Sequence, residues 1–280
     1  MRVEPRLVKR TAWKAILYTL IVLALIVVLL PLYWTFSTSF KPSRAILQIP
    51  PEFLPRDVIF SNYAEIFNLI PFGRFLLNSF VITGVTAVIS LLLGSVAAYG
   101  LSRYKFFGSD SIFGLVVGTR MIPPISYVIP LYLLISSLGL IDNLLGVILT
   151  HLTITLPFTV WIMKGFFDEL PRDFEEAAMV DGCSRLGALR VALRLALPGL
   201  FVALIFLFVE SWNEFMFAVT FIQKAELKPV ATSLYHFSNR WTRSWGPTNA
   251  GAVIMSVPVI IIFLLLQRRF IEGLTQGGLR

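Results

Sequence analysis

Residues 15–40 read AILYTLIVLALIVVLLPLYWTFSTSF, a run with no charged side chain, bounded by Lys14 and Lys41. A helix needs about 20 mainly apolar residues to cross the hydrocarbon core of a bilayer. This run is long enough, and it is too long for the apolar part of a cleavable leader, so it is expected to stay in place as a first membrane span. The same pattern recurs along the chain. No charge occurs between Arg74 and Arg103, and Ser111–Ile141 carries one charge, Arg120. Asn143–Met163 gives a fourth span, Leu195–Gln223 a fifth interrupted by Glu210 and Glu214, and Ser244–Gln267 a sixth. These runs are continuously apolar rather than alternating, which favours helices over a barrel. The expected fold is therefore all-α, a polytopic membrane protein with about six transmembrane helices.

Composition agrees. Of 280 residues, 56% are hydrophobic and 14% are charged, against about 25% charged in a soluble domain. The net charge is +8, but the basic residues flank the apolar runs, so a lipid bilayer accounts for them and nucleic acid is not expected as a partner. Cys183 is the only cysteine, which excludes an intrachain disulfide framework and a multi-cysteine metal site. With only His151 and His236 a histidine metal cluster is not expected either, and a lone histidine here reads as a polar side chain in a packed or wet position. No nucleophile–base or metal-ligand spacing marks an enzyme, and no G-x-x-x-x-G-K-[ST] phosphate loop occurs, so any ATP would be hydrolysed elsewhere. Counting Lys and Arg in alternate inter-span segments gives 15 on the N-terminal side and 8 on the other, which places both termini in the cytoplasm. The segment 41–74 is then external and proline-rich, 164–198 is cytoplasmic, and 224–243 is external and aromatic, with Tyr235, Phe237 and Trp241.

The cytoplasmic segment holds the densest cluster of acids, DELPRDFEEAAMVDG at 168–182. Asp173 followed by Glu176 fits a capping box, so a helix is expected to start at Phe174. Glu175 closes no capping box, so its replacement by Gln is expected to be tolerated. Asp181-Gly182 supplies a turn, with glycine free to adopt positive φ. A second helix is expected over about 184–197, with Leu186, Leu189, Leu193 and Leu197 in one stripe, ended by Pro198. Such a capped pair, with small Ala177 and Ala178 on its surface, can seat in a groove of a partner protein. It can equally be an amphipathic loop lying on lipid headgroups, and spacing alone does not separate the two.

Glu176-Ala177-Ala178, then Gly182 four residues on, resembles the "EAA" loop of ABC-importer permeases. Further stretches resemble one branch, the smaller permease subunit of maltose-type carbohydrate-uptake systems: Leu77-Asn78-Ser79-Phe80, Met121-Ile122-Pro123-Pro124, Ile129-Pro130-Leu131-Tyr132, Trp212-Asn213-Glu214-Phe215 and Gly273-Leu274-Thr275. Leu197-Pro198 departs from that pattern by coming three residues late. The resemblance implies a type I ABC-importer permease fold in a bacterial or archaeal plasma membrane. It divides the chain into an N-terminal helix and external loop, 1–74, and a core permease domain, 75–280, whose coupling loop spans 168–198. It implies a sugar as cargo, an oligosaccharide, disaccharide or polyol. The implied partners are a second homologous permease, two cytoplasmic ATPases that hold ATP and magnesium, and an extracytoplasmic sugar-binding protein. No cofactor is implied in this chain. By the same resemblance Asp173, Glu176, Ala177, Ala178, Asp181 and Gly182 couple to the ATPase, and Tyr235, His236, Phe237 and Trp241 lie on a loop that meets the binding protein.

Several polar groups fall inside the apolar runs. Glu210 and Glu214, four residues apart, would share one face of a continuous helix. Ionisable groups within a span face a cavity or a partner. With Ser211, Trp212 and Asn213 they could line a sugar pathway, or they could hold the second permease. Arg120 with Pro123 and Pro124 breaks the third run, either as a gate or as a fixed kink with Arg120 paired to a carboxylate. The alternative for the whole chain is an ion- or proton-coupled secondary transporter using Glu210 and Glu214, against which stand the EAA loop and the lack of an internal repeat.

Overall fold

The computed structural model describes residues 5–233 and 245–277, with side chains for 13–233 and 245–268. The helices in chain order are α1 (Pro5–Ser39), α2 (Ser43–Ile46), α3 (Ser61–Leu69), α4 (Phe72–Arg103), α5 (Ser109–Gly118), α6 (Pro124–Ser137), α7 (Leu144–Glu169), α8 (Asp173–Val180), α9 (Arg185–Leu195), α10 (Leu197–Trp212), α11 (Met216–Phe221) and α12 (Trp245–Gly277). Four of these contain spans long and apolar enough to cross a bilayer: Trp13–Ser39, α4, α7 and Trp245–Arg268. Two bent pairs raise the number to as many as six, α5 with α6 at 101° and α9 with α10 at 72°. The third expected span is thus two half-length pieces nearly at right angles. Pro124 has no N–H to give a helix, and Pro123 holds Ile122 extended, with φ −80° and ψ 119°.

The fifth expected span is also discontinuous. α10 ends at Trp212 and α11 begins at Met216. The Glu214 carboxylate accepts the backbone N–H groups of Phe217 and Ala218, an alternative to continuing the helix that ends one and starts the next. Glu210 and Glu214 therefore do not share one helical face.

The chain divides into two compact units, one of Met1–Leu69 with Phe237–Ile254, the other of Ile70–His236 with Met255–Arg280. In the first, the apolar side chains of α1 from Trp13 to Leu32 are exposed, as suits a helix whose solvent is lipid. Residues 39–62 fold around Lys41, which is buried, donates to the Glu52 carbonyl and lies 4.3 Å over the Trp34 ring. Burial lowers its pKa, and Glu52 opposes that shift. The Asn62 amide ties the strap by donating to the carbonyls of Ser39 and Lys41.

In the second unit, α4 packs lengthwise on α7. Gly94 permits the approach: a Cβ there would lie 2.7 Å from the Thr159 side chain. One turn away, Ser90 and Thr155 share a hydrogen bond of 2.8 Å across the helices. Small residues and paired hydroxyls let helices meet closely where lipid supplies no hydrophobic drive between them. Apolar clusters close the two ends of this pair, one around Tyr99, Met163, Phe167 and Ala192, the other around Ile82, Val147, Phe217 and Phe221.

Candidate functional site

At the C-terminal ends of α4 and α7 sit α8 and α9. α8 ends in paired bonds in which the Gly182 N–H reaches the Met179 carbonyl and the Cys183 N–H the Ala178 carbonyl, with Gly182 at φ +91°. This is the Schellman arrangement, which needs a left-handed residue where glycine sits. The Ser184 hydroxyl then caps α9 by accepting the Gly187 N–H. Asp173, Glu176, Ala177, Asp181 and Gly182 are exposed on this element and Ala178 is half-buried. Phe174, Met179 and Val180 are exposed beside them, so the element presents an apolar knob rimmed by acids.

Three expectations need correction. The capping box is not formed: α8 begins at Asp173, and no side chain caps it. Asp173 stands inside the first turn, where its charge still meets the positive end of the helix. Along α9 the buried positions are Ala188, Leu189 and Ala192, while Leu186 is exposed, so the leucines do not form one buried stripe. The largest change concerns Glu175, whose replacement by Gln was expected to be tolerated because it closes no cap. Its carboxylate is buried. It accepts from Arg103 Nε at 2.8 Å and from the Tyr99 hydroxyl at 2.8 Å, and it pairs with Arg103 Nη2 at 2.8 Å. Both charged side chains are 7% exposed. Arg103 also donates to the carbonyls of Phe167 and Leu170, so one guanidinium joins the ends of α4 and α7 to α8. Removing one partner of such a pair leaves a buried charge, at a cost of about 3–5 kcal/mol. Spacing gave no signal of this pair, whose members lie 72 residues apart.

The polar groups expected inside the membrane separate into three settings. Arg120 pairs with Glu210 at 2.7 Å and donates to the Ile154 carbonyl, the fixed-kink alternative. Pro123 beside it is exposed. Ser211 and Glu214 hold His151, the first at Nδ1 (2.8 Å) and the second at Nε2 (3.1 Å), and Ser211 also reaches Thr83. His151 is buried, a packed and satisfied histidine. Trp212 is 1% exposed, stacks on Phe208 and donates to the Met255 carbonyl. That packing does not suit a sugar-lining indole. Asn213 is exposed and bonds within its own turn.

At the opposite ends of α4 and α7, residues 222–233 run irregularly after α11. The Asn78 amide donates to the carbonyls of Glu226 and Lys228, and the Ser79 hydroxyl accepts the Val230 N–H. Asp142, with φ +56°, accepts the N–H groups of Gln223 and Lys224. Those two bonds hold its pKa below the ordinary Asp value. Tyr235, His236, Phe237 and Trp241 lie outside the described residues.

A family model described as the binding-protein-dependent transport system inner membrane component matches residues 90–275. The chain is 36% identical to the trehalose transport system permease protein SugB of Mycobacterium tuberculosis, over 97% of this chain and 98% of that one. It is 34% identical to the inner membrane ABC transporter permease protein YcjP of Escherichia coli, over the same shares, and 33% identical to the trehalose/maltose transport system permease protein MalG of Thermococcus litoralis, over 92% and 94%. Among solved structures, a bacterial ABC transporter involved in import of the acidic polysaccharide alginate has a chain of the same fold. Its TM-score is 0.82 at 24% identity, over 96% of this chain and 100% of that one. The secondary-transporter alternative is set aside by the family match, and both of its carboxylates have partners of their own. The chain belongs to the family of inner membrane components of binding-protein-dependent transport systems, a multi-pass and non-catalytic permease subunit.

Proposed function

We propose that this chain is one of two permease subunits of an ABC importer for a sugar, that both its termini are cytoplasmic, and that α8–α9 is the element by which a cytoplasmic ATPase moves it. The relatives named for trehalose and maltose uptake support a disaccharide, oligosaccharide or polyol as cargo. In this reading residues 75–280 form the transport core with a second permease, 1–74 form the appended helix and external loop, and two ATPases supply the energy. Tyr235, His236, Phe237 and Trp241, on the external loop of about 223–247, meet an extracytoplasmic sugar-binding protein. Arg120, Pro123, Ser211, Asn213 and Glu214 lie on or beside the pathway. Ser211 and Glu214 act there by holding the helix break, and Trp212 acts only through packing.

The observation that carries the reading is the exposed α8 knob fixed to the transmembrane helices through Arg103 and Glu175. A loop resting on headgroups has no need of a buried ion pair to hold its orientation. Docking of an ATPase does, because force applied at the knob must reach α4 and α7. Gly182→Val puts a β-branched residue into a positive-φ turn and leaves the spans alone. With Glu176→Ala added, we expect uptake to fall at least tenfold while the chain still inserts and still purifies with the second permease. The ATPase should be lost from that complex or should stop responding to binding protein. Full uptake in the double variant overturns the coupling assignment.

A further inference from the structure

We propose that residues 222–233 are a preformed bracket, and that Asn78, Ser79 and Asp142 are positioning residues. They fix the base from which residues 234–244 reach the extracytoplasmic binding protein. The inference rests on the reading above that this loop is the contact.

The bracket has no regular secondary structure beyond two single 3-10 turns, Ala225–Leu227 and Val230–Thr232. An irregular segment must still find partners for its backbone groups. Water could supply several of them, since Gln223, Lys224 and Glu226 are exposed. Side chains from two other elements supply them instead: Asn78 and Ser79 from α4, Asp142 from the turn before α7. Asn78 and Ser79 are each 2% exposed, so their polar atoms are committed to this segment. Asp142 takes a left-handed conformation that few residues other than glycine adopt. In that conformation its own N–H reaches the Phe221 carbonyl while its carboxylate reaches the next two N–H groups. The other face of the segment is sealed by Ile222, Val230, Thr232 and Ser233, all buried. Five backbone groups in eight residues are thereby held along one path. Because residues 222–233 are already fixed, a partner that binds the chain after them does not also have to order this base. The bracket therefore tunes how tightly the binding protein engages, without touching the step that consumes ATP.

The test uses the complete transporter in lipid nanodiscs with its binding protein, measuring ATP hydrolysis against binding-protein concentration. Asp142→Ala is expected to raise the half-saturating concentration fivefold or more and to leave the maximal rate within twofold. Asp142→Asn keeps the accepting oxygen and tolerates the left-handed backbone, so it should stay within twofold on both readouts. Asn78→Ala should shift half-saturation in the same direction, and if it fails to assemble the Asp142 pair decides alone. Deletion of Tyr235–Asn239 is the control for the loop. If the deletion shifts half-saturation and Asp142→Ala does not, the bracket is overturned and the loop contact stands. If the deletion itself has no effect, the loop contact falls and the bracket's role falls with it. An Asp142→Asn variant as impaired as Asp142→Ala also overturns the proposal, because charge rather than accepted hydrogen bonds would then be responsible.

Discussion

The two ends of α4 are held by opposite means. Near its start, Asn78 and Ser79 reach the backbone of residues 226–230 through uncharged side chains. About 37 Å further on, at 1.5 Å per residue, Arg103 closes a buried ion pair with Glu175 and gathers two carbonyls from the end of α7. The difference lies in what each end tolerates. Neutral side-chain-to-backbone bonds contribute about 0.5–1.5 kcal/mol apiece, and losing one weakens this end without stranding a charge. A buried guanidinium–carboxylate pair cannot lose one member without stranding the other. The Arg103 end therefore behaves as a joint that fails as a unit, and the Asn78 end as a base fixed by several weaker bonds that can be lost one at a time. That is the distribution expected if force enters at α8 and recognition happens at the opposite end.

The comparison breaks most visibly at the joint. Arg103→Ala leaves the Glu175 carboxylate buried with only the Tyr99 hydroxyl as donor, and it takes one donor from each of the Phe167 and Leu170 carbonyls. We expect a loss of about 3–5 kcal/mol, read as a lower unfolding temperature of the purified permease and as uptake near zero. Glu175→Gln keeps an acceptor for Tyr99 but not the charge, so its stability loss should be smaller and its uptake still reduced severalfold. If Arg103→Ala and Asn78→Ala lower the unfolding temperature equally, the two ends do not differ in kind.

Between the ends lies the break after α10, where a cap rather than an ion pair is at stake. Glu214→Ala removes the acceptor for the Phe217 and Ala218 N–H groups and for His151. Losing an N-terminal cap costs about 0.5–2 kcal/mol, so the effect should fall below that of Arg103→Ala. Glu214→Gln keeps one carbonyl oxygen and should lie between Glu214→Ala and the unaltered chain, in both unfolding temperature and uptake rate. Equal loss in the two variants would make charge at Glu214, rather than capping of α11, the property that matters.

Legibility in the sequence follows the range of the interaction. Long uncharged runs identify α1, α4, α7 and α12 because membrane insertion is decided locally, by about 20 residues at a time. Gly182 was readable because a turn needs positive φ at one position. The bends were partly readable: Pro123-Pro124 announces one, but nothing in residues 210–216 says that Glu214 will cap a new helix instead of extending the old one. Glu175 was misread for a related reason. On α8 it differs from Glu176 only in the face it occupies, and that face is set by Arg103 on a helix that ends 70 residues earlier. Asp142, too, carries no local sign of its role, since its partners are backbone groups beyond α10.

The smallest effect expected concerns that same residue and acid. Asp142 lies outside the membrane spans, and the N–H groups of Lys224 and then Gln223 hold its folded-state pKa below the ordinary Asp value. A carboxyl with a lowered folded pKa contributes stability in full above its unfolded value, near 3.9, and loses it as pH falls through the folded one. The clasp should therefore be indifferent to pH across the neutral range and weaken only below about pH 4. Half-saturation by binding protein, measured from pH 8 down to pH 5, should carry no change that Asp142→Asn removes. A pH dependence in that interval which disappears in Asp142→Asn would mean that the carboxyl titrates well above its ordinary range. The two backbone donors could not then be its dominant neighbours, and the base at this end of α4 would be electrostatic after all, as the joint at Arg103 is.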